Sequence, residues 1–480
     1  DWSSDVCSSD LPGSGGSVEV TGTLAGTGNA TIELDGETVD LGANITTADQ
    51  NITITGAADL SASVTIDSGA NEGNISFSST LDGTQTLILD AGTGNITITG
   101  AVGGGTVLGA VTITDAENVT FSDAFSAASI VQNAGSGTTQ FGGAVATTAA
   151  AGVNIANTNI DVNAAIGATG SGIIYLNGAA DIGANLSTAD QNITVKGAAT
   201  ISATVSIDSG SGEGAITFQD TLNGTQDLTL DAGTGNIDFD GVVGGSNALG
   251  AVTIVAAENV VADFAFSAAS LTQSAGTGTT QFKGAVTTTA AAGVAITNNN
   301  IDVDAAIGTG AGTLALTGAI NLGANLTTTN KDITLTGAVT LSANNTISSD
   351  TGAGTITFTS TLDSDGTTRD LTLTAGTGII NFDGAVGATA LGAVLINSAG
   401  GVTADSTFSA ASIVQSAGTG TTTFTGAVST TAAAGVDITA ANITVTAGIT
   451  ETTAGIVNFV NTGTLDRKST RLNSSHQIIS

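Results

Sequence analysis

Short runs of alternating apolar and polar residues recur along most of this chain. In the first third they read Ile52-Thr53-Ile54, Val64-Thr65-Ile66, Ile75-Ser76-Phe77, Leu87-Ile88-Leu89, Ile96-Thr97-Ile98 and Val111-Thr112-Ile113. Strict alternation over three or four residues, rich in β-branched types, is the pattern of a half-buried strand. Gly, Asn, Asp and Ser separate the runs, residues whose side chains tolerate tight turns. The runs are spaced roughly 8 to 15 residues apart, so two or three strands make a coil of roughly 20 to 25 residues, the size of a β-helical repeat. One such coil cannot bury its inward stripe alone; stacking coils builds a continuous core. Helix is not expected. The Ala triplets 149–151, 290–292 and 432–434 are flanked by Thr and Gly, and three alanines cannot overcome helix nucleation. They are expected at bends where only methyl groups fit.

A longer period lies over this rhythm. FSAASIVQNAGSGTTQFGGAVATTAAAGVNI begins at Phe125 and returns, little changed, from Phe266 and again from Phe408. The markers LGANI, IGANL and LGANL start at Leu41, Ile182 and Leu322. They divide the chain into repeats 41–181, 182–321 and 322–465. Residues 17–40 read as the end of a preceding repeat. Positions that stay fixed between copies are Gly, Ala, Thr and inward aliphatics or Phe, such as Phe141, Phe282 and Phe424. Charges drift: Lys196 stands where Thr55 and Thr336 stand in the other copies. Packing is held constant while the surface varies. The expected fold is all-β, a parallel β-helix (β-solenoid) of about three long repeats with these bounds, and a string of β-sandwich domains is the rival.

Composition sharpens this. Hydrophobic residues are 41% of the 480, yet aromatics are only 3%, Met is absent and there are 67 Gly. A sandwich core leans on larger side chains for buried area; small aliphatics suit a thin solenoid interior. Net charge is −34, with seven Lys and Arg. No basic stripe can be assembled to neutralise phosphates, so nucleic acid is excluded as a partner, and anionic membranes are disfavoured. No apolar run is long enough to cross a bilayer as a helix.

The ends differ in character. Residues 1–16 begin DWSSDVCSSDL, with Trp2 and Cys7, and 466–480 read DRKSTRLNSSHQIIS, with His476. DWSSDVCSSDL and the 466–480 string resemble translated sequencing-adapter read-through, so both ends are set aside from fold reasoning, and Cys7 and His476 with them as nucleophile or ligand. No disulfide framework is then expected.

Four stretches are candidates for chemistry. Asp363-Ser364-Asp365-Gly366 resembles the start of a calcium loop, but its equivalents are Leu81-Asp82-Gly83 and Leu222-Asn223-Gly224, which favours a surface turn. DAGTGNI at 90–96 and 231–237 lacks the Lys of a phosphate-cradling loop and reads as a turn. Asp238 and Asp240 could point outward together as glycosidase or lyase carboxylates, but no base lies near them and the first copy has Thr97 and Thr99 there. Thr-x-Thr pairs (53/55, 97/99, 334/336, 357/359, 444/446) raise ice binding; Ser76, Asp238 and Asp240 are expected to break that ladder. Catalytic, cofactor-binding and metal residues are accordingly expected to be none, and the chain is expected not to be an enzyme.

The phrases GNITITGA, LTLDAGTG and FSAASLTQSAGTGTT resemble the β-strand repeats of large bacterial surface proteins, the filamentous-haemagglutinin-like and autotransporter-like adhesins, over residues 17–465. The resemblance implies a right-handed parallel β-helix, secretion to the cell surface in association with the outer membrane, and a role in attachment or biofilm. The expected function is a non-catalytic stalk segment of such an adhesin. The expected partners are a host, surface or matrix ligand such as a carbohydrate, and the flanking modules of the same chain. The alternatives are a polysaccharide-lyase-like β-helix and an ice-binding Thr-ladder solenoid.

Overall fold

The structure is a computed structural model that describes residues 16–453 and 455–467. Cys7 and His476 lie outside the described residues. Among those described there is no helix; every element is a short strand, and every strand pairing is parallel. A β-sandwich would pair its neighbours antiparallel, so the rival architecture is overturned. The chain is a parallel β-solenoid of about 21 turns of ~21 residues each, and it divides into two compact units, Asp1–Gly241 and Val242–Ser480.

In the first unit each turn contributes three strands, one to each of three ladders. One ladder runs through Ile52, Ile75, Ile96 and Val119, which stand opposite one another on successive turns. A second passes through Val64, Leu87, Val111, Ile130 and Val153. The third passes through Phe125, Val145, Ile166 and Leu186. The second unit is built in the same way, for example through Ile333, Ile356, Ile380 and Val402. Period-two alternation then does the sorting: in Ile52–Ile54, Ile75–Phe77 and Ile96–Ile98 the outer residues of each triplet are buried and the middle one is half-exposed. Twelve Phe side chains are among the largest fully buried groups, and several stack in register, such as Phe121 on Phe141 at 5.5 Å and Phe358 on Phe382 at 5.2 Å. Phe141, Phe282 and Phe424, which the repeats hold fixed, are all in the core.

The long repeat is not a whole number of turns. From Ile75, six turns along its ladder lead through Ile96, Val119, Thr139, Ile160 and Ala180 to Ala199. Ile216, the equivalent of Ile75, lies two strands further on, in the ladder of Ile193. The period is therefore six turns and two faces. The second unit repeats the offset: Phe266 pairs with Val286, whereas Phe408 pairs with Val386 and Val428 in another ladder. Each copy presents its equivalent residues one face round from the last.

The Ala triplets do lie at bends, but space is not what selects them. Ala150 and Ala151 are exposed. The constraint falls on the glycine that follows. Gly152, Gly293 and Gly435 have φ of 57°, 65° and 58°. A Cβ on any of them would stand 2.0–2.1 Å from a carbonyl oxygen of the next turn.

Candidate functional site

With the interior closed by aliphatics, chemistry is confined to the outward positions of the ladders and to the corners. Stacked strands lie about 4.8 Å apart, so identical residue types in register form rows along a face. The first unit carries a row of carboxylates: Glu19, Asp40, Asp59 and Asp82 stand opposite one another on consecutive turns. Their unequal spacing conceals this row in the linear sequence. Its members have local duties. Asp82 accepts backbone N–H bonds from Gly105 and Thr106 at 2.7 and 2.9 Å, and Asp40 accepts from the Ser61 hydroxyl.

Three further carboxylate pairs face each other across rungs, Asp67 with Asp90, Asp161 with Asp181 and Asp208 with Asp231. Burial pushes the Asp90 carboxyl above its ordinary value, with Asp67 and Asp115 adding repulsion and a backbone bond from Gly92 opposing. Burial does the same for Asp161, assisted by Asp181.

At one corner the amides of Asn51, Asn74, Asn95 and Asn118 form a hydrogen-bonded file. The Nδ2 groups of Asn74, Asn95 and Asn118 donate to the preceding Oδ1 at 3.2, 3.1 and 2.8 Å, and Thr138 N donates to Asn118 Oδ1 at 2.8 Å. Another corner is set by Thr47, Thr188 and Thr328, whose hydroxyls donate to the carbonyl three residues on. Asp49, Asp190 and Asn330, two residues after them, take positive φ of 61°, 62° and 56°, a conformation Asn and Asp tolerate better than most.

The repeated stretch also holds a polar group that sequence reasoning did not single out. Gln132, Thr139 and Asn157 are buried together: Thr139 Oγ1 donates to Gln132 Oε1 at 2.6 Å, and Asn157 Nδ2 donates to Thr139 Oγ1 at 2.9 Å. Gln273, Thr280 and Asn298 repeat this at the same distances. In the third copy Thr422 still donates to Gln415, at 2.8 Å, but Ala440 replaces the asparagine and Gln415 Nε2 is buried without a partner.

The candidates from the sequence fall as follows. Asp363 and Ser364 end a strand, with Ser364 buried, and Asp365 and Gly366 begin the exposed bend that follows. Asp363 accepts from Thr389 N at 2.9 Å, and Asp365 is gripped by Arg369 Nε and Nη2 at 3.1 and 2.7 Å. The Arg369 guanidinium, with a bond from Thr367 N, holds the Asp365 carboxyl below its usual value. The Asp365 carboxylate, one of the would-be calcium ligands, thus faces a cation. Asp238 sits opposite Thr217 and is half-exposed, and Asp240 is exposed just beyond the same strand. The DAGTGNI segments are turns in which Asp90 and Asp231 accept from Gly92 N and Gly233 N. Among the described residues no three His, Cys, Asp or Glu converge as a metal site, and no helix is long and apolar enough to cross a membrane. A concavity of about 420 Å³ is lined by the first described turn, including Glu19, Glu33 and Asp35, and among the described residues no basic one lines it.

The arrangement can present rows of small polar and acidic groups at fixed spacing. Comparison with protein-family models, with curated proteins and with solved structures finds no match.

Proposed function

We propose that this chain is a non-catalytic structural segment, a stiff stalk, of a secreted bacterial cell-surface adhesin. The observation that carries the reading is the aliphatic and aromatic spine of each unit, broken only by buried, mostly hydrogen-bonded polar groups such as Gln132, Thr139 and Asn157, on which neighbouring turns pair in parallel while the outward charges vary between copies. A solenoid gains about 4.8 Å of length per added turn without changing its cross-section. That is how a spacer is built, and it differs from how a pocket is built. The acidic surface repels like chains and keeps a sheet-rich protein dispersed. In this reading the stalk holds a binding module of the same chain away from an outer membrane. Direct contacts along its faces to a host, surface or matrix ligand such as a carbohydrate are weak and multivalent. The same resemblance of phrases that points to the filamentous-haemagglutinin-like and autotransporter-like families supports this placement.

Small-angle scattering of the purified chain tests it. The expected pair-distance distribution is that of an elongated particle of constant cross-section; articulated beads or a compact globule would remove the spacer reading. The catalytic rival is addressed by incubating the chain with pectin, alginate and heparin-like polymers. No unsaturated product is expected, and sustained turnover would replace the stalk with a lyase.

A further inference from the structure

In the linear sequence the Thr-x-Thr pairs look too interrupted to form a continuous face. Register changes that conclusion. Asp238 follows Thr194 and Thr217 in one ladder of the first unit, and Ser76 lies between Thr53 and Thr97 in another. Neither belongs to the longest threonine row, which is in the second unit. There Thr334, Thr357, Asn381, Thr403, Thr423 and Thr444 stand opposite one another on six consecutive turns. Two residues further along each turn stand Thr336, Thr359, Asp383, Asp405, Thr425 and Thr446. All six inner positions are half-exposed and all six outer ones exposed. The inner row is extended backward by Ala315, Ala295, Thr272 and Thr253. It thus crosses ten turns without a charge, in a chain with 41 Asp and Glu.

We propose that this threonine face binds ice. Rungs about 4.8 Å apart, and side chains two residues or roughly 6.6 Å apart along each strand, make a two-dimensional grid. Threonine's β-branching restricts χ1, so methyls and hydroxyls repeat at fixed positions. The methyls order adjacent water, and the hydroxyls can stand as donors and acceptors within that ordered layer. Corner threonines such as Thr328 give their hydroxyl to the backbone, and within the grid Thr359 does the same, to Leu335 O at 3.3 Å; the other grid threonines are half-exposed or exposed. No aromatic ring stands among the twelve positions to stack on a sugar, and the two carboxylates, Asp383 and Asp405, are confined to adjacent turns of the outer row. A regular grid charged at only two of its twelve positions fits a lattice of water better than it fits a charged mineral or another acidic chain.

The test uses the whole chain and ice itself. The protein is expected to partition into a slowly growing polycrystalline ice hemisphere and to slow ice recrystallisation. Thr403→Tyr with Thr423→Tyr, at the centre of the grid, should reduce both effects at least tenfold with an unchanged melting curve. Thr287→Tyr, on a different ladder, should leave them intact. Asp383→Thr with Asp405→Thr, which completes the outer row, should strengthen them. Exclusion of the wild-type chain from ice, equal losses in the Thr403/Thr423 and Thr287 variants, or no gain on removing the two carboxylates would each overturn the proposal. So would concentration-dependent dimers in sedimentation that Thr403→Tyr abolishes, which would assign the face to a second copy of the chain.

Discussion

Two kinds of residue set the local tolerances of this fold. The glycine closing each Ala-rich corner sits in the left-handed region with a neighbouring carbonyl where a Cβ would go. Gly293→Ala therefore meets both a conformational penalty of about 1–2 kcal/mol and a clash with Thr313 O that backbone must move to relieve. A drop in the denaturation midpoint corresponding to at least that loss is expected in equilibrium melts, whereas Ala291→Gly in the same corner, being exposed, should cost less. The buried amide group makes the complementary case. Gly135 and Gly276 leave the space that Asn157 and Asn298 fill, since a Cβ there would come within 2.6 and 2.5 Å of their Cγ atoms. Gly418 keeps that space in the third copy although Ala440 does not use it. Restoring the amide with Ala440→Asn gives Thr422 a donor and should stabilise by about 0.5–1.5 kcal/mol, while Asn298→Ala should cost about 1–3 kcal/mol by unpairing buried polar atoms. Chemical denaturation of the two variants beside wild type reads both signs, and a destabilising Ala440→Asn would contradict the assignment.

At the scale of the element, the offset of six turns and two faces means that a strand placed on one face by one copy is placed on the next face by the next copy. Such transfer works only if the three faces are close to interchangeable, with the same inward aliphatics and similar corners. Deleting residues 182–321 tests this directly: it joins Asp181 to Leu322 and turns AADIGANL into AADLGANL, yet moves every later strand one face round. The shortened chain is expected to keep its circular-dichroism signal per residue and to melt cooperatively; loss of strand signal would show the faces to be distinct. The strands themselves were legible in the sequence, because alternation in Ile52–Ile54 or Ile96–Ile98 states which side is buried, and parallel stacking followed from the turn length. Face assignment was not. The turns differ too much in length for linear spacing to reveal that Glu19, Asp40, Asp59 and Asp82 share a row, or that Thr403 stands between Asn381 and Thr423. The Gln–Thr–Asn group was hidden for another reason: polar residues in a repeated stretch look like surface until the corner that encloses them is built.

Across the whole molecule the dominant unbalanced quantity is charge. Rows in register bring carboxylates opposite one another, and like charges directly across a rung destabilise by roughly 0.2–1 kcal/mol each. Asp90 and Asp161 have carboxyls held above their ordinary value. What they contribute to stability is present in full below the unfolded carboxylate range and is lost as pH rises through their folded values. Asp49, held low first by the Asn71 amide, and Asp365, held low first by Arg369, act the other way. Their contribution is present above the unfolded range and is lost as pH falls through their folded values. Acidification from pH 7 should therefore stabilise the chain while Asp90 and Asp161 take up protons, and further acidification should weaken it as Asp49 and Asp365 are neutralised. The melting temperature should peak within the ordinary carboxylate range, at about pH 4, and be lower at both pH 7 and about pH 2. Added salt screens the repulsion between exposed rungs, so sodium chloride at about 0.5 M should raise the pH 7 value toward the pH 4 one, and Asp161→Asn should reproduce part of that gain at low salt. A melting temperature that falls steadily from pH 7 to pH 4 would show that favourable carboxylate contacts outweigh the rows, and the acidic faces would then have to be read as paired rather than repelling.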